Sequence, residues 1–300
     1  MRGARGATAK RTFWFPRAKQ MVPQGTICTR APAGRTSEHP PGDRPIRIAC
    51  HGKTDVGRRR ELNEDSFHCS DRDGLSIVCD GMGGRDFGEV ASSLAVSTIT
   101  RLIHKQFPRT LRGRRLADGG PVADAFVQLF DGWIRDVNAA IHSFGTVDAR
   151  YREMGTTLAL VYHQEDLVVV AHVGDSRVYR IRDGKAEAVT EDHSFVNAQL
   201  KAGLITKAEA EQSAHRHIVT RAIGPRSVVK ADVAVLPARA GDVFLLCSDG
   251  LCDLADGADI EAKFAETGGD LERGVQALID LANGRGGPDN LTVIMTRLEA

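Results

Sequence analysis

The chain has 300 residues, 42% hydrophobic and 26% charged, with a formal net charge of +1, which is enough length to bury one large core or two modest ones. The charge is uneven, because residues 1–44 carry nine Lys/Arg against two Asp/Glu and the remainder is left at −6, while aromatic residues make up only 5%. A mildly acidic body poor in aromatics argues against nucleic-acid binding, which wants a basic face; no run approaches the ~18 apolar residues of a membrane span, and the N-terminus lacks the apolar stretch of a secretory signal.

Taken in chain order, residues 1–45 come first: Arg-rich and acid-poor, with four prolines between 31 and 45 and no apolar periodicity. This composition predicts a disordered basic tail ahead of a single domain over 46–300. From 46 onward, short β-branched runs at 46–50, 75–79, 157–162, 167–173, 177–181, 233–236, 243–247 and 291–296 read as buried strands. Helical spacing appears between them, in Val90, Leu94, Thr98 and Leu102, then in Val122, Phe126, Leu129, Phe130, Trp133, Val137 and Ile141, and last in Leu271, Val275, Leu278, Ile279 and Ala282. The close pairing of 157–162 with 167–173 predicts antiparallel sheets covered by apolar-faced helices, a layered sandwich and not a doubly wound parallel sheet. Residues 194–217 are polar and rich in Ala and Lys, and are expected to project as a surface insertion.

Six cysteines, at 28, 50, 69, 79, 247 and 252, form no Cys-x-x-Cys pair and have no His partners at zinc spacing, so a reducing compartment is expected and the protein is read as cytoplasmic. Cys79 and Cys247 lie just upstream of Asp80 and Asp249. They fit either small apolar strand residues or redox-sensitive thiols.

Four acidic positions share one local setting, a strand end beside Gly, Ser or Asn. They are Asp80 in Val78-Cys-Asp-Gly-Met-Gly-Gly84, Asp175 in His172-Val-Gly-Asp-Ser-Arg177, Asp249 in Leu246-Cys-Ser-Asp-Gly-Leu251 and Asp289 in Gly287-Pro-Asp-Asn-Leu291. One Asp-Gly is ordinarily a turn. Four carboxylates delivered to a sheet margin are another matter: they repel, and raise one another's pKa unless a cation neutralises them. Hard divalent ions want such oxygens. A fifth segment, Thr54 to Ser66, would alone read as a solvated charged loop.

In order, Asp55-Val-Gly-x-x-Arg60-x-x-Asn-Glu-Asp65, Asp80-Gly-Met-Gly-Gly84, Gly155-Thr-Thr-Leu158, Val173-Gly-Asp-Ser-Arg177, Thr220-Arg-Ala-Ile-Gly224, Ser248-Asp-Gly-Leu251 and Pro288-Asp-Asn290 resemble the PPM (type 2C) metal-dependent protein serine/threonine phosphatases, above all their compact bacterial branch. The resemblance covers about 46–298. It implies an α+β fold, a four-layer α/β/β/α sandwich of two mainly antiparallel sheets flanked by helices, with 194–217 as a flap beside the site. It also implies two, and with a looser third site three, Mg²⁺ or Mn²⁺ ions. Asp80 would bridge two metals, helped by the Gly81 carbonyl and by Glu64; Asp249 and Asp289 would complete the first site, and Asp175 with Asp249 the third. Arg60 would grip the substrate phosphate, and Asp65 and Asn290 would orient ligands. The implied partners are phosphorylated proteins, including serine/threonine kinases and their substrates, met by a monomer; a catalytically silent regulator of the same fold is the rival reading.

The sequence also departs from that pattern. Met82 stands where some members place a His as general acid, so the proton donor is unassigned: a metal-bound water could serve, and His193, His215 and His217 are the candidate imidazoles, although a surface or structural role is the commoner fate of each. A phosphocysteine route is disfavoured, because neither Cys79 nor Cys247 is followed by a Gly-rich loop ending in Arg.

Overall fold

The computed structural model describes residues 46–83 and 87–300, so the tail expected over 1–45 lies outside the described residues. Two five-stranded antiparallel sheets form the centre. The first is built from β2 (Ser66–Ser70), β3 (Leu75–Cys79), β6 (Leu158–Gln164), β7 (Leu167–Val173) and β10 (Asp232–Pro237), in the order β10-β7-β6-β3-β2. The second holds β1 (Arg47–Asp55), β8 (Arg177–Arg182), β9 (Lys185–Ala188), β11 (Val243–Cys247) and β12 (Leu291–Glu299), in the order β1-β12-β11-β8-β9. A two-stranded ribbon of β4 (Gly81–Met82) and β5 (Gly155–Thr156) sits at the end of the first sheet.

Helices α1 (Gly88–Gln106) and α2 (Val122–Val147) cover the first sheet, and α6 (Gly257–Glu266) and α7 (Leu271–Gly284) cover the second. The result is the α/β/β/α sandwich. Strand alternation divides each central strand between two cores. In β6, Leu158, Leu160 and Tyr162 face α1 and α2, while Ala159 and Val161 face the other sheet. In β11, Val243, Leu245 and Cys247 face the helices, and Phe244 and Leu246 point between the sheets. Strands buried on both faces must be apolar at every position, which is why they read as continuous runs and not as alternations.

The first strand is longer than the run at 46–50 predicted. It extends to Asp55 and pairs with β12 throughout, Arg47 opposite Glu299 and Asp55 opposite Leu291. The predicted hairpin of 157–162 with 167–173 is present as β6 and β7. The segment 194–217 holds two short helices, α3 (Phe195–Lys201) and α4 (Lys207–Gln212). Ser194 caps α3 through Asn197 N (3.3 Å), and Thr206 and Glu209 form a reciprocal cap on α4. The segment is stitched at its base, where Phe195 N donates to Ile218 O (2.8 Å) and Thr220 N to His193 O (2.7 Å).

Candidate metal centre

Strands of both sheets end at one edge of the sandwich. Asp80 follows β3, Asp175 lies where the chain passes from β7 in one sheet to β8 in the other, Asp249 opens the short helix α5 (Asp249–Cys252) just beyond β11, and Asp289 precedes β12. All four line one cleft of about 740 Å³, together with Arg60, Glu64, Gly81, Met82, Thr157 and Asn290. The floor is held by threonine and serine hydroxyls. Asp80 N donates to Thr157 Oγ1 (2.9 Å) and Thr156 Oγ1 to Asp80 O (2.9 Å), while the Thr157 and Ser176 hydroxyls pair at 2.7 Å and tie the Asp80 loop to the Asp175 loop. Gly81 is obligatory, because a Cβ there would lie 2.2 Å from Gly88 O, where the start of α1 crosses β4.

The carboxylates are strained electrostatically. Burial, then the charge of Asp249, pushes Asp80 well above the ordinary carboxylate range. Burial raises Asp249 to about 6, with Asp289 adding to the shift, and raises Asp175 to about 7, with Asp249 the next cause. Asp249 Oδ1 is buried and has no hydrogen-bond partner among the described residues. A buried carboxylate oxygen left unpaired among like charges is costly, and oxygen donors converging on it suit a hard divalent cation. The donor set therefore fits the metals implied by the sequence.

The supporting residues fall into place around it. Asp65 is buried beneath the cleft, where Oδ2 accepts from Ser248 Oγ (2.8 Å) and Thr292 Oγ1 (2.6 Å), and burial lifts its pKa to about 7. Asn290 spans the entrance loop, accepting from Glu64 N (2.9 Å) and donating to Val56 O (3.0 Å) and Leu62 O (2.9 Å). Glu64 Oε1 accepts from Gly88 N at the start of α1 (3.1 Å). Arg60 reaches the cleft from the rim, where its Nη2 pairs with Asp289 Oδ2 at 2.7 Å and the guanidinium remains half exposed.

The three histidines have three different settings. His193 is enclosed away from the cleft: Gly174 N lies 3.1 Å from its Nδ1, and its Nε2 faces both Asp232 Oδ2 (3.1 Å) and Arg221 Nη1 (3.0 Å). His215 packs edge-on against Phe195, with ring centroids 5.9 Å apart. His217 does line the cleft, along with Arg216, and its Nδ1 lies 3.1 Å from Asp253 Oδ2. Asp253 itself was not singled out in the sequence. It stands four residues after Asp249, a spacing that puts both on one face of a helical turn, and that was the available signal.

A second cluster has metal-like spacing, with ligand atoms of His172, His193 and Asp232 within 4.8 Å of one another. Its hydrogen bonds already fill it. Arg221 Nη1 donates to Asp232 Oδ1 (3.1 Å) and lies 3.0 Å from His193 Nε2, and His172 Nε2 meets Glu191 O (2.8 Å), so a guanidinium already stands where a cation would sit.

The family model of Protein phosphatase 2C matches residues 55–278. Serine/threonine phosphatase stp of Listeria innocua is 34% identical over 250 residues, covering 81% of this chain and 93% of its own. The crystal structure of the Mycobacterium tuberculosis serine/threonine phosphatase PstP/Ppp superposes with a TM-score of 0.72 at 34% identity, covering 85% of this chain and all of the other. The catalytic domain of PstP in complex with two manganese ions superposes with a TM-score of 0.71 at 31% identity, over 85% of this chain and all of its own. With a family match over most of its length and a cleft of converging carboxylates, the chain belongs to the protein phosphatase 2C family of metal-dependent serine/threonine phosphatases.

Proposed function

We propose that the cleft hydrolyses phosphoserine and phosphothreonine in proteins, with Asp80, the Gly81 carbonyl, Asp249, Asp289 and Glu64 holding two Mg²⁺ or Mn²⁺ ions, and Asp175 with Asp249 holding a third. The observation that carries this reading is the convergence of four strand-end carboxylates, one with a buried unpaired oxygen, on a single cleft. When bound there, divalent ions supply Lewis acidity, acidifying water and drawing charge from phosphoryl oxygens.

The chain's own residues do the rest. Arg60 exchanges its bond with Asp289 for the substrate phosphate, which its planar fork can grip in bidentate fashion. Asp65, clamped by Ser248 and Thr292, and Asn290, clamped by three backbone groups, fix the ligand-bearing loops. For the proton taken by the leaving serine or threonine oxygen, His217 is the imidazole that lines the cleft, its ring oriented by Asp253. Residues 194–217 act as a flap that presents Arg216 and His217 to the substrate.

The catalytic unit is the domain over 46–300, acting as a monomer in the cytoplasm on phosphoproteins that include serine/threonine kinases and their substrates. No helix among the described residues is long and apolar enough to cross a membrane. A silent regulator of the same fold has less support, since such a protein has no use for a full set of ligand carboxylates. Phosphate release from phosphoserine and phosphothreonine peptides, measured with Mn²⁺, with Mg²⁺ and with chelator, tests the proposal. Release that chelator leaves untouched would overturn it.

A further inference from the structure

Asp249 is bracketed by two thiols. Cys247 closes β11 and Cys252 closes α5, and their sulfurs lie 2.8 Å apart, both within the core under α6 and α7. A disulfide needs an S–S separation of about 2.05 Å, so a contraction of about three-quarters of an ångström from 2.8 Å joins them. We propose that Cys247 and Cys252 are a dithiol modification site whose oxidation by a peroxide to an intramolecular disulfide turns the phosphatase off. The effect on activity rests on the reading of Asp249 as a metal ligand.

The chemistry balances with peroxide as oxidant. The sulfur of Cys252, the more exposed of the two at 8% against 0% for Cys247, attacks a peroxide oxygen; an S–O bond forms, the O–O bond breaks, and the departing oxygen leaves as water with the thiol proton. Cys247 sulfur then attacks the sulfenic sulfur of Cys252. The S–S bond forms, the S–O bond breaks, and the hydroxyl leaves as a second water with the Cys247 proton. Two thiols are oxidised and one peroxide is reduced. Burial and the neighbouring Cys247 hold the Cys252 thiol well above its ordinary pKa, so the reaction is slow and answers sustained peroxide more than a brief pulse.

The closed loop would contain Ser248, Asp249, Gly250 and Leu251. Neither neighbour of Asp249 has slack. Ser248 Oγ is bonded to Asp65, and Gly250 packs so tightly that a Cβ there would lie 2.0 Å from Asn290 O. Contraction between the sulfurs is therefore passed to Asp249, the residue between them that faces the cleft. Misplacing a metal-facing carboxylate by a fraction of an ångström costs about tenfold in rate, taking ~10²-fold for a full ångström as the guide. The other adjacent thiols, Cys50 and Cys69, lie between the sheets, and their oxidation is distinguishable by mass.

The test uses the purified full chain, incubated with millimolar hydrogen peroxide and then with or without dithiothreitol. Trypsin releases residues 240–263 as one peptide containing both cysteines, so the disulfide appears as that peptide lighter by two hydrogens. The expected result is this mass change together with a roughly tenfold fall in phosphopeptide turnover and weaker Mn²⁺ binding by calorimetry, all reversed by dithiothreitol. Cys252→Ser, and independently Cys247→Ser, should abolish all three changes, whereas Cys79→Ala should retain them. No mass change after prolonged peroxide, or a disulfide that leaves turnover and Mn²⁺ affinity unaltered, overturns the proposal. If instead Asp249→Asn keeps normal turnover, the reading of the cleft is what falls, and the mass change then stands without its link to catalysis.

Discussion

Two polar clusters stand on either side of the Gly174–Asp175 turn, and they solve the same electrostatic problem in opposite ways. Around His193, a carboxylate, two imidazoles and a guanidinium complete one another: Asp232 has both Arg221 and His193, and burial keeps the two imidazoles below their ordinary pKa and neutral. Around Asp249 the carboxylates have no comparable cation at their centre, since Arg60 meets only Asp289 at the rim. One cluster carries its own counter-charge; the other, under the proposed function, receives one from solution. Spacing alone did not separate them. The guanidinium of Arg221 at the centre of one of them did.

The comparison is broken most directly by deleting a carboxylate on the open side. Asp249→Asn should lower turnover of a phosphothreonine peptide on the order of 10³-fold and weaken Mn²⁺ binding by calorimetry while leaving the circular dichroism unchanged. Near-normal turnover would mean that Asp249 holds nothing. The second effect is on stability. Folded Asp65 and Asp175 titrate at about 7 and Asp249 at about 6, against about 3.9 when unfolded. The folded state therefore binds more protons than the unfolded one, and the stability this contributes is fully present below pH ~4 and lost as the pH rises towards 7. In chelator, urea midpoints should correspond to a loss of about 1 kcal/mol per pH unit or more between about pH 5 and 7. Saturating Mn²⁺ should flatten that slope, because a bound cation favours the ionised carboxylates. A metal-free protein equally stable across this window would remove the distinction between the clusters.

How much of this was legible in the sequence depended on burial. β7 and β11 were readable because both faces are covered and every residue is apolar. β2 (Ser-Phe-His-Cys-Ser) and β9 (Lys-Ala-Glu-Ala) were not, since edge strands carry polar residues and lack a continuous run. Asp80, Asp175, Asp249 and Asp289 were visible because a strand end beside Gly is a local pattern. His217 was not separable from His193 and His215, because its position depends on how 194–217 folds back, a long-range event with no local signature. The 2.8 Å approach of Cys247 and Cys252 was hidden for a similar reason: five residues apart, they meet only because a strand turns at once into a helix.

On the rim, Arg60→Ala tests whether the guanidinium that now pairs with Asp289 serves the substrate. KM for phosphopeptide should rise about tenfold, with a smaller fall in kcat, since ground-state phosphate binding is the main loss. A variant whose kcat collapses while KM holds would instead make Arg60 a guardian of Asp289.

The smallest effect is expected on the closed cluster, and it is the sharpest control. Asp232 is half exposed at its side chain, although both His193 and Arg221 lean on it. Replacing it with Asn keeps an acceptor for one partner and removes the charge that holds the other, which should cost about 1 kcal/mol in urea unfolding, the scale of one partly exposed ion pair. Mn²⁺ stoichiometry and turnover should not change, because no ion belongs there. If Asp232→Asn instead removed one bound Mn²⁺, Arg221 would not be the counter-charge that fills this cluster, and the two clusters would no longer differ in kind.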